Sequence, residues 1–273
     1  MAIVIEPISP IAFSFFGLDI RWYALAYIAG FVFGFWLLKR LARGATHAQL
    51  HDKKSWDDLM AAVILGVIIG GRLGYVLFYN LPFFIENPLE IFMIWHGGMS
   101  FHGGLLGVMA AVFFFALKKQ NPLKNMFGIL DMMAVAAPIG LFFGRIANFI
   151  NMEVMGRPTT SALGIVFAGQ PDQTPRYPSP LFEAGLEGIL LFALMLCFWK
   201  FTKLRERAGA LSGIFAMLYA TFRVIAEQFR APDVQLGFLA GGWLTMGMLL
   251  SAVMFIAGAV VFAVALKKWN RHV

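Results

Sequence analysis

Seven apolar runs constrain this chain more than anything else in it: residues 22–38, 59–79, 103–117, 129–144, 181–199, 213–226 and 243–266. Hydrocarbon offers no water to backbone N–H and C=O groups, so such runs pair those groups internally as helices. About 20 residues of helix cross the hydrocarbon core. Composition agrees: 60% of the 273 residues are hydrophobic and 14% charged, against about 25% charged in an average soluble domain. The runs at 103–117, 129–144 and 213–226 are short, and are predicted to extend into their flanks or to break near functional residues. The reading is an all-α integral membrane protein: seven transmembrane helices, residues 1–273 as one membrane domain, around a lipid-accessible cavity on the outer side. A small external cap is expected at about 157–180, between spans four and five, where RPTTSALGIVFAGQPDQTPRYPSP is rich in proline and turn residues. Its LGIVF stretch is strand-like and predicted to form a hairpin with a neighbour.

The cations give an orientation. Lys39, Arg40, Arg43, Lys53 and Lys54 follow the first run, and Lys118, Lys119 and Lys124 the third. Lys200, Lys203, Arg205 and Arg207 follow the fifth, and Lys267, Lys268 and Arg271 the seventh. All ten lysines are in these segments, which the positive-inside rule makes cytoplasmic. An odd number of spans then puts the N-terminus outside and the C-terminus inside. The net charge of +7 is divided among loops, with no continuous face for nucleic acid. No cleavable signal peptide is expected, since the first twenty residues hold Glu6, Pro7, Pro10 and Asp19 and no cation.

Seven arginines, Arg21, Arg72, Arg145, Arg157, Arg176, Arg223 and Arg230, lie outside the lysine segments. A guanidinium presents a planar fork that grips phosphate and stays charged when partly buried. In GRIANFINMEVMGRP, Arg145, Asn148, Asn151, Glu153 and Arg157 crowd into one short stretch past the fourth run. A lone arginine at a span end can simply snorkel to the interface; five polar groups together favour a ligand site. Arg223 and Glu227, spaced i and i+4 at the end of the sixth run, are predicted to pair, neutralising a costly intramembrane charge or aiming Arg223 at a phosphate. Arg72 is expected to pair structurally, with Asp131 the candidate partner. HGGMSFHGG, residues 96–104, admits two readings: close helix packing through small residues, or a backbone opened around a polar cavity with His102 as proton acceptor. His96 and His102 lack a third ligand for a metal. By position alone Tyr23 is an interfacial anchor. Cys197, the single cysteine, lies in an apolar run with no basic neighbour and reads as inert.

Together RWYALAY, GGRLGYVLFYN, MSFHGG, GRIANFINMEVMGR and FRVIAEQFRAPD resemble the bacterial prolipoprotein diacylglyceryl transferases over nearly the whole chain. The resemblance implies a seven-span inner-membrane enzyme that moves a diacylglyceryl group from phosphatidylglycerol to the lipobox cysteine of a prolipoprotein signal peptide, with no cofactor or metal. It implies catalytic roles for His102, Arg145, Arg223 and Tyr23, and substrate-binding roles for Arg145, Asn148, Glu153, Gly156 and Glu227. Two other readings fit the composition: a lipid or anion transporter, which the one-sided polar clusters and the lack of an internal repeat disfavour, and a non-catalytic membrane assembly protein.

In the implied reaction the substrate brings the thiol, so the enzyme needs no nucleophile. Cys197→Ala is therefore expected to leave transfer nearly unchanged in a lipobox-peptide assay. A covalent adduct of the lipid on Cys197, found by intact-protein mass spectrometry, would contradict it.

Overall fold

A computed structural model describes residues 2–16, 18–50, 52–78, 80–232 and 237–269, with the backbone alone at Phe78, Trp95, Phe101, His102, Lys268 and Trp269. Among the described residues, six helical segments are long and apolar enough to cross a membrane, and residues Gly103–Leu117 form a shorter apolar helix. The protein is a multi-pass, mostly helical membrane protein. The helices are α1 (Trp22–Ala42), α2 (Lys53–Phe78), a short α3 (Leu81–Glu86), α4 (Phe101–Leu117), α5 (Pro122–Ile150), a short α6 (Ser179–Glu183), α7 (Leu191–Phe201), α8 (Ala210–Glu227) and α9 (Met246–Trp269). A π-helical stretch, Ala184–Leu190, joins α6 to α7 as one continuous span.

Every apolar run contains a helix, but the boundaries move. The run at 129–144 grows to 29 residues, because Pro122 suits a first helical turn and nothing in FFGRIANFI breaks the helix beyond. That exceeds the roughly 20 residues that cross hydrocarbon, so Arg145 and Asn148 in the last turns can leave it. Pro138 sits inside this helix. The run at 103–117 gains only Phe101 and His102, since Ser100 caps it: its Oγ accepts from the Gly103 amide at 3.1 Å.

The strand-like LGIVF stretch does hold a strand, and three further strands lie in the apolar N-terminal segment. Strands β1 (Ile3–Ile5), β2 (Ile11–Phe15) and β3 (Leu18–Arg21) precede α1, and β4 (Ile165–Phe167) lies in the cap stretch. The hairpin expected at LGIVF is reduced to one antiparallel bridge, Ile165 with Arg176, and the longer ladder of β4 is parallel with β1, Ile3 opposite Ile165 and Ile5 opposite Phe167. Parallel pairing needs a long connection, which a local hairpin reading could not supply. A local hairpin does exist elsewhere, β2 with β3, and it runs straight into α1.

The chain divides into two compact units, Met1–Gly44 with Asp131–Val273, and Ala45–Leu130. In the larger, α1 lies on α5 through Gly30, where an added Cβ would sit 3.1 Å from the Gly140 Cα, and through Phe33 stacked on Phe143 with centroids 5.9 Å apart. Helices α8 and α9 approach through Gly213 and Gly258. Asp131 does not pair with Arg72. It caps α8 instead, accepting from the amides of Gly209 at 2.8 Å and Ser212 at 2.7 Å and from the Ser212 hydroxyl at 2.6 Å. A carboxylate is well placed at the positive end of a helix.

In the smaller unit, Gly66, Gly70 and Gly74 of α2 lie against Gly103 and Gly107 of α4. Small residues let the two backbones meet, which is how helices associate where lipid removes the hydrophobic drive. The packing reading of Gly103 is therefore correct. Arg72 points back into its own unit and donates to the carbonyls of Glu90, Ile91, Met93, Gly97 and Gly98. It pins the irregular segment between α3 and α4, a stretch whose Gly97 and Gly98 have positive φ.

A Cβ at position 70 would fall on the Gly103 carbonyl and 2.8 Å from the Gly107 Cα, while at Gly34 it would meet nothing within 4 Å. Gly70→Ala is expected to destabilise by about 1–3 kcal/mol, the usual range for overpacking, and Gly34→Ala to be neutral or slightly stabilising. Thermal unfolding in detergent separates the two.

Candidate active site

Three elements of the larger unit bring three arginines and three glutamates together. Helix α5 supplies Arg145; α6 and the π-helical stretch supply Glu183 and Glu187; α8 and the residues just past it supply Arg223, Glu227 and Arg230. Glu183 is the hub. Its Oε2 is 2.7 Å from Arg145 Nε and 3.3 Å from Arg223 Nη1, and its Oε1 is 3.3 Å from Arg230 Nη1. Glu187 Oε2 lies 3.2 Å from Arg145 Nη2, and its Oε1 3.7 Å from Arg223 Nη1. Arg223 Nη2 reaches Glu227 Oε2 at 2.9 Å, the predicted i,i+4 pair. The Thr245 hydroxyl donates to Glu227 Oε1 at 2.9 Å, just ahead of α9.

Both Glu183 and Glu187 have no exposed side-chain surface. Burying a lone carboxylate costs several kcal/mol, and only close, well-bonded partners offset it. Three cations and three anions cancel here, so the cluster is close to neutral. Its guanidinium groups are not fully consumed. Among the described residues no hydrogen bond uses Arg145 Nη1 or Arg223 Nε, and the two side chains keep 20% and 13% exposure. Glu187 Oε1 and Glu227 Oε2 sit at ion-pair distance from arginine without a well-aligned hydrogen bond.

A turn after α5 borders this network. The Asn148 side chain donates to Glu153 Oε2 at 3.2 Å, the Asn151 side chain to Glu153 Oε1 at 3.3 Å, and the Glu153 amide to the Asn148 carbonyl at 2.9 Å. Met152 and Val154, on either side of Glu153, have φ of 56° and 59°. A β-branched residue is rarely left-handed, and such strain persists where the surroundings fix it and a site uses it. The fixing contact is visible: Ser179 Oγ donates to the Val154 carbonyl at 2.7 Å. Gly156 follows, its amide donating to the Tyr177 carbonyl at 2.9 Å and its strand bridged to Arg230. A side chain at 156 would strike the carbonyls of Phe229 and Tyr177, so only glycine fits. Arg157 donates from Nε to the Arg230 carbonyl at 2.8 Å and from Nη2 to the Glu227 carbonyl at 3.3 Å. The whole stretch 148–157 is thereby tied to the end of α8.

The family model for prolipoprotein diacylglyceryl transferase matches residues 10–264. The chain belongs to this family. A phosphatidylglycerol–prolipoprotein diacylglyceryl transferase of Azospirillum brasilense is 50% identical over 270 residues, covering 98% of each chain. One of Bradyrhizobium diazoefficiens is 48% identical, covering 95% of this chain and 92% of its own. One of Rhodospirillum rubrum is 46% identical, covering 97% and 94%.

Of the residues singled out in the sequence, the fold unites Arg145, Arg223 and Glu227 in one network and joins Asn148 to Glu153 beside the Gly156 strand. Tyr23 is half-buried in the first turn of α1, its ring 5.2 Å from that of Tyr27, which lies within electrostatic reach of Arg145 and Glu153. His102 lies in the first turn of α4, in the smaller unit, and its side chain is outside the described residues. Cys197 is on the exposed side of α7. The cap carries a self-contained Asp172, whose carboxyl is held below the usual range by hydrogen bonds from Thr174 and then Arg176.

Sequence reasoning in this family missed Glu183 and Glu187, which fell inside a run read only as apolar. The signal was there: two carboxylates four apart within a span are too costly to be idle. It also passed over Tyr219 of α8, within electrostatic reach of Glu187, Arg145 and Arg223.

Removing the hub leaves three guanidiniums with too few anions. Glu183→Gln is expected to cost about 3–5 kcal/mol, the scale for breaking a buried pair from one side. Glu183→Gln combined with Arg145→Met should cost less than the sum of the single changes. Strictly additive losses in thermal unfolding would mean that Arg145 and Glu183 are not energetically coupled.

Proposed function

We propose that this chain transfers the diacylglyceryl group of phosphatidylglycerol to the lipobox cysteine thiol of prolipoproteins, the first step of lipoprotein maturation. Membership of the transferase family over residues 10–264, with relatives of that name matching end to end, carries this reading. The Arg145–Glu183–Glu187–Arg223 network gives it chemical sense.

The thiolate attacks the glycerol carbon that bears the phosphate. A C–S bond forms, the C–O bond breaks, and glycerol phosphate leaves with the bonding pair. Its growing negative charge is met by donors already held in place, the remaining N–H groups of Arg145 and Arg223. Fixed donors in a site with little water stabilise charge far more than donors that must reorganise. Glu183, Glu187 and Glu227 hold the two guanidiniums in position and keep the resting site near neutral, so an anionic headgroup gains selectivity from geometry more than from bulk attraction. Asn148, Glu153 and Gly156 shape the bordering turn for the substrate, and Tyr23 contributes from the start of α1. The role of taking the thiol proton is assigned to His102, because an imidazole suits that step near neutral pH.

The protein sits in the bacterial inner membrane with its N-terminus periplasmic and C-terminus cytoplasmic. The lysine-bearing helix ends support this: Lys39 and Arg40 close α1, and Lys200 closes α7, whereas the network lies at the start of the α6–α7 span and the end of α8. The site then faces the periplasmic side, where a secreted prolipoprotein presents its cysteine.

Purified protein incubated with phosphatidylglycerol and a lipobox peptide should yield peptide carrying one diacylglyceryl group by mass spectrometry; an unmodified peptide overturns the assignment. Arg145→Lys and Arg223→Lys keep the charge but lose the fork. Each should fall ten- to a hundredfold in rate, the equivalent of about 1.5–3 kcal/mol for a charge-assisted hydrogen bond, while the protein stays folded. His102→Gln should lose about two to four orders of magnitude near neutral pH, with a deficit that shrinks toward pH 9 as the substrate thiol, of pKa near 8.5, ionises unaided. A deficit constant between pH 6 and 9 assigns His102 to positioning.

A further inference from the structure

The β2–β3 hairpin ends in apolar side chains that are largely exposed among the described residues. Phe15 is 63% exposed, Phe16 92% and Leu18 69%. One pair below the tip, Ser14 Oγ donates to Asp19 Oδ1 at 2.6 Å, and toward the base Phe13, 53% exposed, adds a further apolar side chain. The hairpin thus presents exposed apolar side chains at its tip, closed off from the rest of the strands by a satisfied polar pair.

A second observation concerns the turn. Phe15 and Leu18 are paired across the strands, and Phe16 follows the first of them. Phe16 has φ of 47°. Such tight turns favour asparagine, aspartate or glycine at a left-handed position, and a phenyl ring there is strained. Its ring meets that of Phe15 edge-on, at 4.6 Å between centroids. Phe16 therefore holds a left-handed backbone conformation while its ring is 92% exposed.

A third observation fixes the surroundings. Strand β3 ends at Arg21 and α1, a membrane-spanning helix, begins at Trp22 with no linker, while the Trp22 amide donates to the Pro10 carbonyl at 3.1 Å. Four residues of strand extend about 14 Å at most, so the tip is held within that distance of the helix end that enters the bilayer. Aromatic and aliphatic side chains presented at this level are what the headgroup–acyl boundary accepts.

We propose that the β2–β3 hairpin is a membrane wedge, which inserts Phe15, Phe16 and Leu18 into the lipid leaflet bordering the start of α1. Its partner is the lipid surface, recognised by apolar area and not by charge, since the tip carries none. The wedge stands independently of the transfer reaction.

The test uses the full chain in Cys197→Ala background, with a single cysteine introduced as Phe16→Cys, as Leu18→Cys, or as Gln173→Cys in the cap. Each is labelled with an environment-sensitive fluorophore and reconstituted in vesicles of phosphatidylethanolamine and phosphatidylglycerol. Labels at 16 and 18 should emit to the blue of the label at 173 and be quenched several-fold more by lipids brominated near the top of the acyl chain. Two sites guard against a local failure of the turn at either one. Water-like emission at both 16 and 18, unaffected by brominated lipid, overturns the proposal. Shielding that appears only when a lipobox peptide is added also overturns it, because the tip would then dock the peptide and not the membrane.

Discussion

A single carboxylate with no exposed surface, shared among three guanidiniums, is the contact on which the rest of the larger unit turns. Glu183 cannot remain buried without Arg145, Arg223 and Arg230, and those three come from α5, α8 and the segment beyond it. The pairing thus dictates where three separate stretches of chain must end. Arg145 is held by two carboxylates and Arg223 by three, so their geometry is over-determined. Buried ion pairs are a poor source of net stability but a strong source of specificity when every member is bonded. In this chain that specificity fixes the direction in which the guanidinium groups of Arg145 and Arg223 face.

The immediate neighbours show the same division between packing and chemistry. Glycines at 30, 66, 70, 74, 103, 107, 213 and 258 let helices meet where lipid gives no reason to associate. Gly156 serves a different end: it lets the post-α5 segment lie between the carbonyls of Tyr177 and Phe229 and so brings Arg157 onto the end of α8. The strained turn at Met152–Val154 then projects Glu153 toward the two asparagines. Packing residues sit along the helices, and strained or charged ones gather at one end of them.

The spans were legible because a long apolar run has few other outcomes. The pair Arg223–Glu227 was legible because its spacing matches one helical turn. What escaped was whatever depended on partners distant in sequence. Arg72 and Asp131 both carry a buried charge, and composition made them natural partners; in fact backbone carbonyls satisfy one and helix-end amides the other. Strand Ile165–Phe167 finds its mate at Ile3–Ile5, far outside any local window. Glu183 and Glu187 were hidden by the hydrophobicity of the run around them, although their four-residue spacing carried the same message as that of Arg223 and Glu227.

Helix α8 is fastened at both ends by charge. At its start the Asp131 carboxylate holds the amides of Gly209 and Ser212, and at its finish Arg223 and Glu227 are held by Glu183, Glu187 and Thr245. A rod clamped in this way resists sliding along its axis, because a shift of even one residue breaks ionic contacts at two places about 27 Å of helix apart. Piston-like and screw-like movements are thereby removed from the repertoire of this helix. If the proposed transfer takes place at these arginines, the movement that admits a two-tailed lipid belongs to lighter parts of the chain, and α8 is the fixed datum against which they move.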